Sequence, residues 1–123
     1  MRTLILIGTG GFIGTIFRYS LSQFIHTRVL STFPFGTLGV NLLGCLVIGL
    51  VLALIGRTNM NSEWQLFLAT GICGGFTTFS AFSNETLGLL RNGQLWHASA
   101  YILASVLLGV LATFIGYSIV KLI

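Results

Sequence analysis

Residues Gly71-Ile-Cys-Gly-Gly-Phe-Thr-Thr-Phe-Ser-Ala-Phe-Ser83 bring together three glycines, four hydroxyls and three phenylalanines. The chemistry open to these types is the desolvation of a small ion. Thr78 and Ser80 offer hydroxyl donors to an anion. Phe79 and Phe82, spaced i and i+3, share one helix face, and a ring edge carries partial positive charge that attracts an anion weakly. Glycine pairs and clustered hydroxyls weaken a helix, which predicts a break at Gly74–Thr78 with exposed carbonyls suited to a small cation such as sodium. The ordinary alternative is a glycine kink that serves only helix packing.

Further polar residues fall inside apolar stretches. Tyr101, Ser105, Gly109 and Thr113 recur every four residues, a stripe whose three hydroxyls form a candidate ladder of donors with a gap at Gly109. Asn41 offers two amide donors, or it ties helices together. Arg18 either reaches the membrane surface or neutralises a carboxylate. Glu85 is an ion or proton ligand, a partner for Arg18, or an interfacial residue.

The elements that must position these groups follow from composition. Only 7% of the residues are charged and 54% are hydrophobic, with a mean hydropathy of +0.97. A bilayer core asks for about 20 apolar residues per spanning helix. Four such runs occur, near 4–25, 35–55, 64–90 and 97–122, with no convincing signal-peptide cleavage site after the first. The expectation is an all-α, single-domain integral membrane protein over residues 1–123, with the third helix broken. Gly10 and Gly14, and Cys45, Gly49 and Ala53, form small-residue stripes for close helix approach.

Four spans put both termini on one side. Arg2, Arg57 and Lys121 then face Arg18, Arg28 and Arg91 across the bilayer, so the positive-inside signal cancels. Balanced charge predicts insertion in both orientations and permits an antiparallel homodimer. The net charge of +4 is dispersed over helix ends and loops, which argues against nucleic acid. Trp64, Trp96 and His97 suit an interface. Cys45 and Cys73 lie inside spans and read as small packing residues. No metal-ligand cluster, nucleophile–base arrangement or phosphate loop stands out, so an enzyme is not expected.

Three segments in order, Gly10-Gly-Phe-Ile-Gly-Thr-Ile-Phe-Arg-Tyr19, Phe33-Pro-Phe-Gly-Thr-Leu-Gly-Val-Asn41 and Gly74-Gly-Phe-Thr-Thr-Phe-Ser-Ala-Phe82, resemble the Fluc (CrcB) fluoride channels. The resemblance spans essentially the whole chain. It implies a fluoride-selective channel in the inner (plasma) membrane, built as an antiparallel, dual-topology homodimer with two pores and one structural sodium ion. It also implies that the carbonyls of Gly74 and Thr77 from both protomers hold the sodium, and that Phe79 and Phe82 meet fluoride with their ring edges. By the same resemblance Asn41, Ser80, Thr37, Tyr101 and Ser105 line the fluoride pathway. Gly109 departs from the expected hydroxyl, leaving Thr113 or water to fill the gap. Arg18 falls at a vestibule and Glu85 near the aromatic rings. Two other classes have a similar size and span count or need only glycine stripes. A proton-coupled multidrug antiporter needs an acidic residue in the first span, and Leu4–Ile25 has none. A non-transporting assembly subunit leaves the Thr-Thr-Phe-Ser-Ala-Phe segment without a purpose.

Overall fold

A computed structural model describes residues 1–123 as helices joined by short turns. The order is α1 (Arg2–Arg28), α2 (Phe35–Arg57), α3 (Ser62–Gln65), a π-helical stretch (Leu66–Cys73), α4 (Gly74–Phe76), α5 (Phe79–Arg91) and α6 (Leu95–Leu122). Ser62–Arg91 forms one span, and with α1, α2 and α6 it makes four helices long and apolar enough to cross a membrane. The helices run one to three residues past most of the expected ends, because polar residues at the membrane surface can stay helical.

The turns have local causes. Pro34 stands at the N-cap of α2, where a missing N–H costs nothing. The Asn61 side chain accepts from the Glu63 N–H at 3.0 Å and starts α3. Gly93, at φ +73°, closes α5, its N–H donating to Leu90 O at 3.1 Å while the Gln94 N–H donates to Leu89 O at 2.9 Å; only glycine takes that backbone readily. Arg57 Nη1 donates to Val120 O at 2.6 Å, satisfying a carbonyl at the end of α6 that no helical N–H can reach.

Backbone-to-backbone packing joins the spans. A Cβ at Gly10 would lie 2.7 Å from Phe67 O and 3.0 Å from Gly71 Cα, and one at Gly14 would collide with Ile72 O. On the other side of the bundle, Gly49 abuts the backbone of Thr113, and Gly116 that of Leu46. Lipid is as apolar as leucine, so close van der Waals approach of small residues is what holds such helices together. Few residues are buried within the protomer: Val40 and Tyr101 are fully enclosed, and Leu89, Ala98 and Tyr101 form a small core against Phe33, Leu38 and Phe82. Phe12, Phe17, Leu107 and Phe114 point outward and exposed, an arrangement suited to hydrocarbon. The chain is a multi-pass membrane protein.

The break in the third span falls within the expected Gly74–Thr78 stretch, at its C-terminal end. Gly74 and Gly75 are helical in α4, and Thr77 (φ −85°, ψ 155°) and Thr78 (φ −148°, ψ 113°) carry the extended backbone. A Cβ at Gly75 would sit 2.5 Å from Gly11 O, so that glycine admits α1 rather than interrupting the helix. The Thr77 N–H still reaches Cys73 O at 3.0 Å, so helical pairing ends there and restarts with the Thr78 hydroxyl as a cap. Thr77 Oγ1 donates to Cys73 O at 3.0 Å, and Thr78 Oγ1 accepts from the Ala81 N–H at 3.3 Å as the N-cap of α5. The π-helical stretch has no signal in the sequence; it lies where Gly71 meets Gly10 and Ile7 O.

Candidate functional site

The Thr77 N–H still donates to Cys73 O at 3.0 Å, but the Thr78 N–H and C=O have no helical partner, and Asn41 on α2 supplies one for each. Its Oδ1 accepts from the Thr78 N–H at 2.8 Å, and its Nδ2–H donates to Thr78 O at 3.1 Å. The amide pairs with extended backbone as a strand would, which holds the break open at membrane depth. One N–H of the Asn41 amide remains free of that pairing. Gly44, one turn further along α2, leaves the space that the Thr77 methyl fills.

Beside the break lies a cavity of about 420 Å³ whose wall includes Asn41, Cys45, Thr78, Phe79, Phe82 and Ser105. The Ser105 hydroxyl is enclosed and has no hydrogen-bond partner. Such an orphan donor costs free energy unless a guest or water meets it. The Phe79 and Phe82 rings lie 5.5 Å apart, tilted by 42°, and Phe82 rests on Tyr101 at 5.1 Å. Phe82 is therefore tied to the core, whereas Phe79 is 79% exposed on the protomer.

Tyr101 closes one end of this arrangement. Its hydroxyl donates to Glu85 Oε2 at 2.7 Å, while Thr37 Oγ1 donates to Glu85 Oε1 at 2.6 Å. Two hydroxyls thus hold the carboxylate in place between α2 and α6. Arg18 and Glu85 line a second cavity of about 440 Å³, together with Thr37, Ser22 and Thr78. They form no ion pair within the protomer, and Arg18 Nε is enclosed without a partner. The protomer's ion pair is instead Arg2–Glu63, at 3.3 Å near the opposite ends of the helices.

The remaining candidates divide. Gly74 and Thr77 both border the first cavity, and no backbone N–H outside the helices donates to either carbonyl. Ser80 Oγ lies 3.4 Å from Thr78 Oγ1 on an exposed face. Thr113 sits apart: its hydroxyl donates to Gly109 O within its own helix at 3.2 Å, and it does not border the first cavity. The row Tyr101, Ser105, Gly109, Thr113 is therefore interrupted where the glycine falls. Sequence reasoning missed Cys45 as a wall residue of the cavity. The available signal was its position one helical turn after Asn41.

This geometry has close relatives. The family described as CrcB-like protein, Camphor Resistance (CrcB), matches residues 5–117. A protein of Phocaeicola vulgatus named fluoride-specific ion channel FluC is 45% identical over 94% of this chain and 96% of its own length. One of that name from Flavobacterium psychrophilum is 44% identical over 98% of both chains, and one from Thermus thermophilus 43% over 92% of this chain and 89% of its own. Matches at this identity over nearly the full length of both chains, with a family model spanning residues 5–117, leave one assignment: the protein belongs to the CrcB family.

Proposed function

We propose that this protein is a fluoride-selective channel that lets fluoride leave the cell passively, and that it is not an enzyme. The observation that carries the reading is the cavity beside the Thr77–Thr78 break, whose wall brings together the partnerless Ser105 hydroxyl, Asn41, Phe79 and Phe82. Relatives over nearly the whole chain bear the name of that activity. Fluoride is small and strongly hydrated, so it leaves water only for dense donors in a narrow path. Chloride, being larger, is rejected by width. Tyr101, with its hydroxyl on Glu85, and Thr37 and Ser80 supply polar lining towards the two ends, and Thr113 lies beyond the gap at Gly109. Arg18 raises the local anion concentration in the second cavity. An inside-negative potential drives the anion outward by about 2.3 kcal/mol per 100 mV.

The functional unit is an antiparallel homodimer in the inner (plasma) membrane, with two pores. Support comes from the even division of Arg2, Arg57 and Lys121 against Arg18, Arg28 and Arg91, and from Phe79, a ring of the pathway left uncovered in one protomer. A structural sodium ion fits between the protomers. The Gly74 and Thr77 carbonyls are hard oxygen donors without backbone partners beside the break, and no cluster of His, Cys, Asp or Glu competes for a softer metal. Two carbonyls from each protomer would hold the ion, whose charge would offset the carbonyl dipoles gathered there.

Purified protein in fluoride-loaded liposomes, followed with a fluoride electrode, tests the channel reading. Fast fluoride release without release from chloride-loaded liposomes is expected, and absence of fluoride release from folded protein would overturn it. Dual topology is tested with a terminal tag in cells: cleavage from both sides of the membrane is expected, and cleavage from one side alone would refute it.

A further inference from the structure

The hydroxyl row on α6 has a gap at Gly109, one turn after Ser105. What occupies that space is a side chain from the facing helix. A Cβ at Gly109 would meet a single neighbour, Cys45 Sγ on α2, at the ordinary contact distance of 3.5 Å. Cys45 borders the same cavity as Ser105, Asn41 and the two phenylalanines, and it forms no disulfide. The Ser105 hydroxyl on the same cavity wall is enclosed and has no partner within the protein, so it is free to donate to an acceptor that enters. A thiol is a weak donor, here in a wall that also carries Asn41, Thr78 and Ser105.

We propose that Cys45 stands in for the absent hydroxyl at Gly109 and donates its S–H to fluoride as the ion moves past Ser105 along α6. The proposal rests on the channel reading and names one further residue of its pathway. A thiol at this point makes a softer step than a hydroxyl, because S–H bonds an anion more weakly than O–H. The row is thus continued across the interface from α2 instead of along α6. Donor supply and packing can be separated here, since Gly109 has room for a small side chain.

The test uses purified full-length protein in liposomes, with fluoride efflux measured for wild type, Cys45→Ala, Cys45→Ser, and Cys45→Ala combined with Gly109→Ser. Cys45→Ala should slow efflux about tenfold, the size of one lost hydrogen bond in a transit barrier. Cys45→Ser should conduct at least as fast as wild type. In the double variant the serine restores a donor to the same space from the opposite helix, and efflux should recover to within about threefold of wild type. A purely structural role for Cys45 would leave the double variant no better than Cys45→Ala, and that result would overturn the proposal. Wild-type rates in Cys45→Ala would overturn it as well. Each variant's elution as folded protein is checked by size-exclusion chromatography. Should wild type itself release no fluoride, the channel reading fails; wild-type conduction with an indifferent Cys45 refutes this inference alone.

Discussion

Replacing Asn41 by leucine should open the helix break that the whole site depends on. The wild-type amide accepts from the Thr78 N–H at 2.8 Å and donates to Thr78 O at 3.1 Å. Each buried backbone group left unpaired costs about 1–3 kcal/mol, so losing both partners sets an upper range of about 2–6 kcal/mol. Water from the adjoining cavity relieves part of that for the group nearest it, which brings the expected cost to about 2–3 kcal/mol. Local opening at Thr78 should then become roughly 30- to 150-fold more frequent. Hydrogen–deuterium exchange in purified protein, read on a peptide spanning residues 74–83, reports that opening directly. Exchange should accelerate in this peptide and stay unchanged in peptides from α6. Asn41→Asp keeps the acceptor for the Thr78 N–H but sets an anion facing Thr78 O, so it should show an intermediate rise. Unchanged exchange at residues 74–83 in Asn41→Leu would refute the claim that this side chain maintains the break.

Three other outcomes follow from contacts in the structure. Gly14→Ala should destabilise the protein by several kcal/mol, because its Cβ has only the backbone of Ile72 and Phe76 to displace, whereas Gly8→Ala, with open space around it, should be neutral in a thermal-unfolding comparison. Phe79→Ala should slow fluoride efflux while leaving the melting temperature near wild type; Phe82→Ala should lower both, by about 2–4 kcal/mol in stability, because Phe82 packs against the Tyr101 core. Tyr101→Phe removes the donor to Glu85 Oε2 but keeps the ring; it should cost about 1–2 kcal/mol in unfolding measurements and slow efflux, and wild-type behaviour in both assays would show the contact to be dispensable.

Much of this arrangement is legible in the chain because membranes simplify the physics. Apolar length locates the four spans, and small residues every fourth position locate the contacts: Gly10 and Gly14 do meet the third span, and Gly49 does meet α6. A break within Gly74–Thr78 is legible from composition, but its placement at Thr77–Thr78 is not. Glycines weaken a helix in water, yet here Gly75 is helical because α1 presses against it, a tertiary contact with no local signature. The hydroxyls of Thr77 and Thr78 are visible, but the backbone of Thr78 leaves the helix to pair with Asn41, 37 residues away along the chain. Glu85 reads as several things at once in the sequence; Thr37 and Tyr101 together fix its two oxygens, a three-helix arrangement that spacing alone cannot give. Thr113 illustrates the reverse failure, since a regular stripe predicts a fourth member of the row while its hydroxyl turns back to its own helix.

The most direct test of fluoride selectivity is the zero-current potential of the purified protein in a planar bilayer. Fluoride is set tenfold higher on one side and chloride tenfold higher on the other, with a shared impermeant cation. A channel of the kind described gives a potential of about 59 mV with the sign set by the fluoride gradient, and it stays there when chloride is replaced by a larger anion. A potential near zero, or one with the sign set by chloride, would contradict the account.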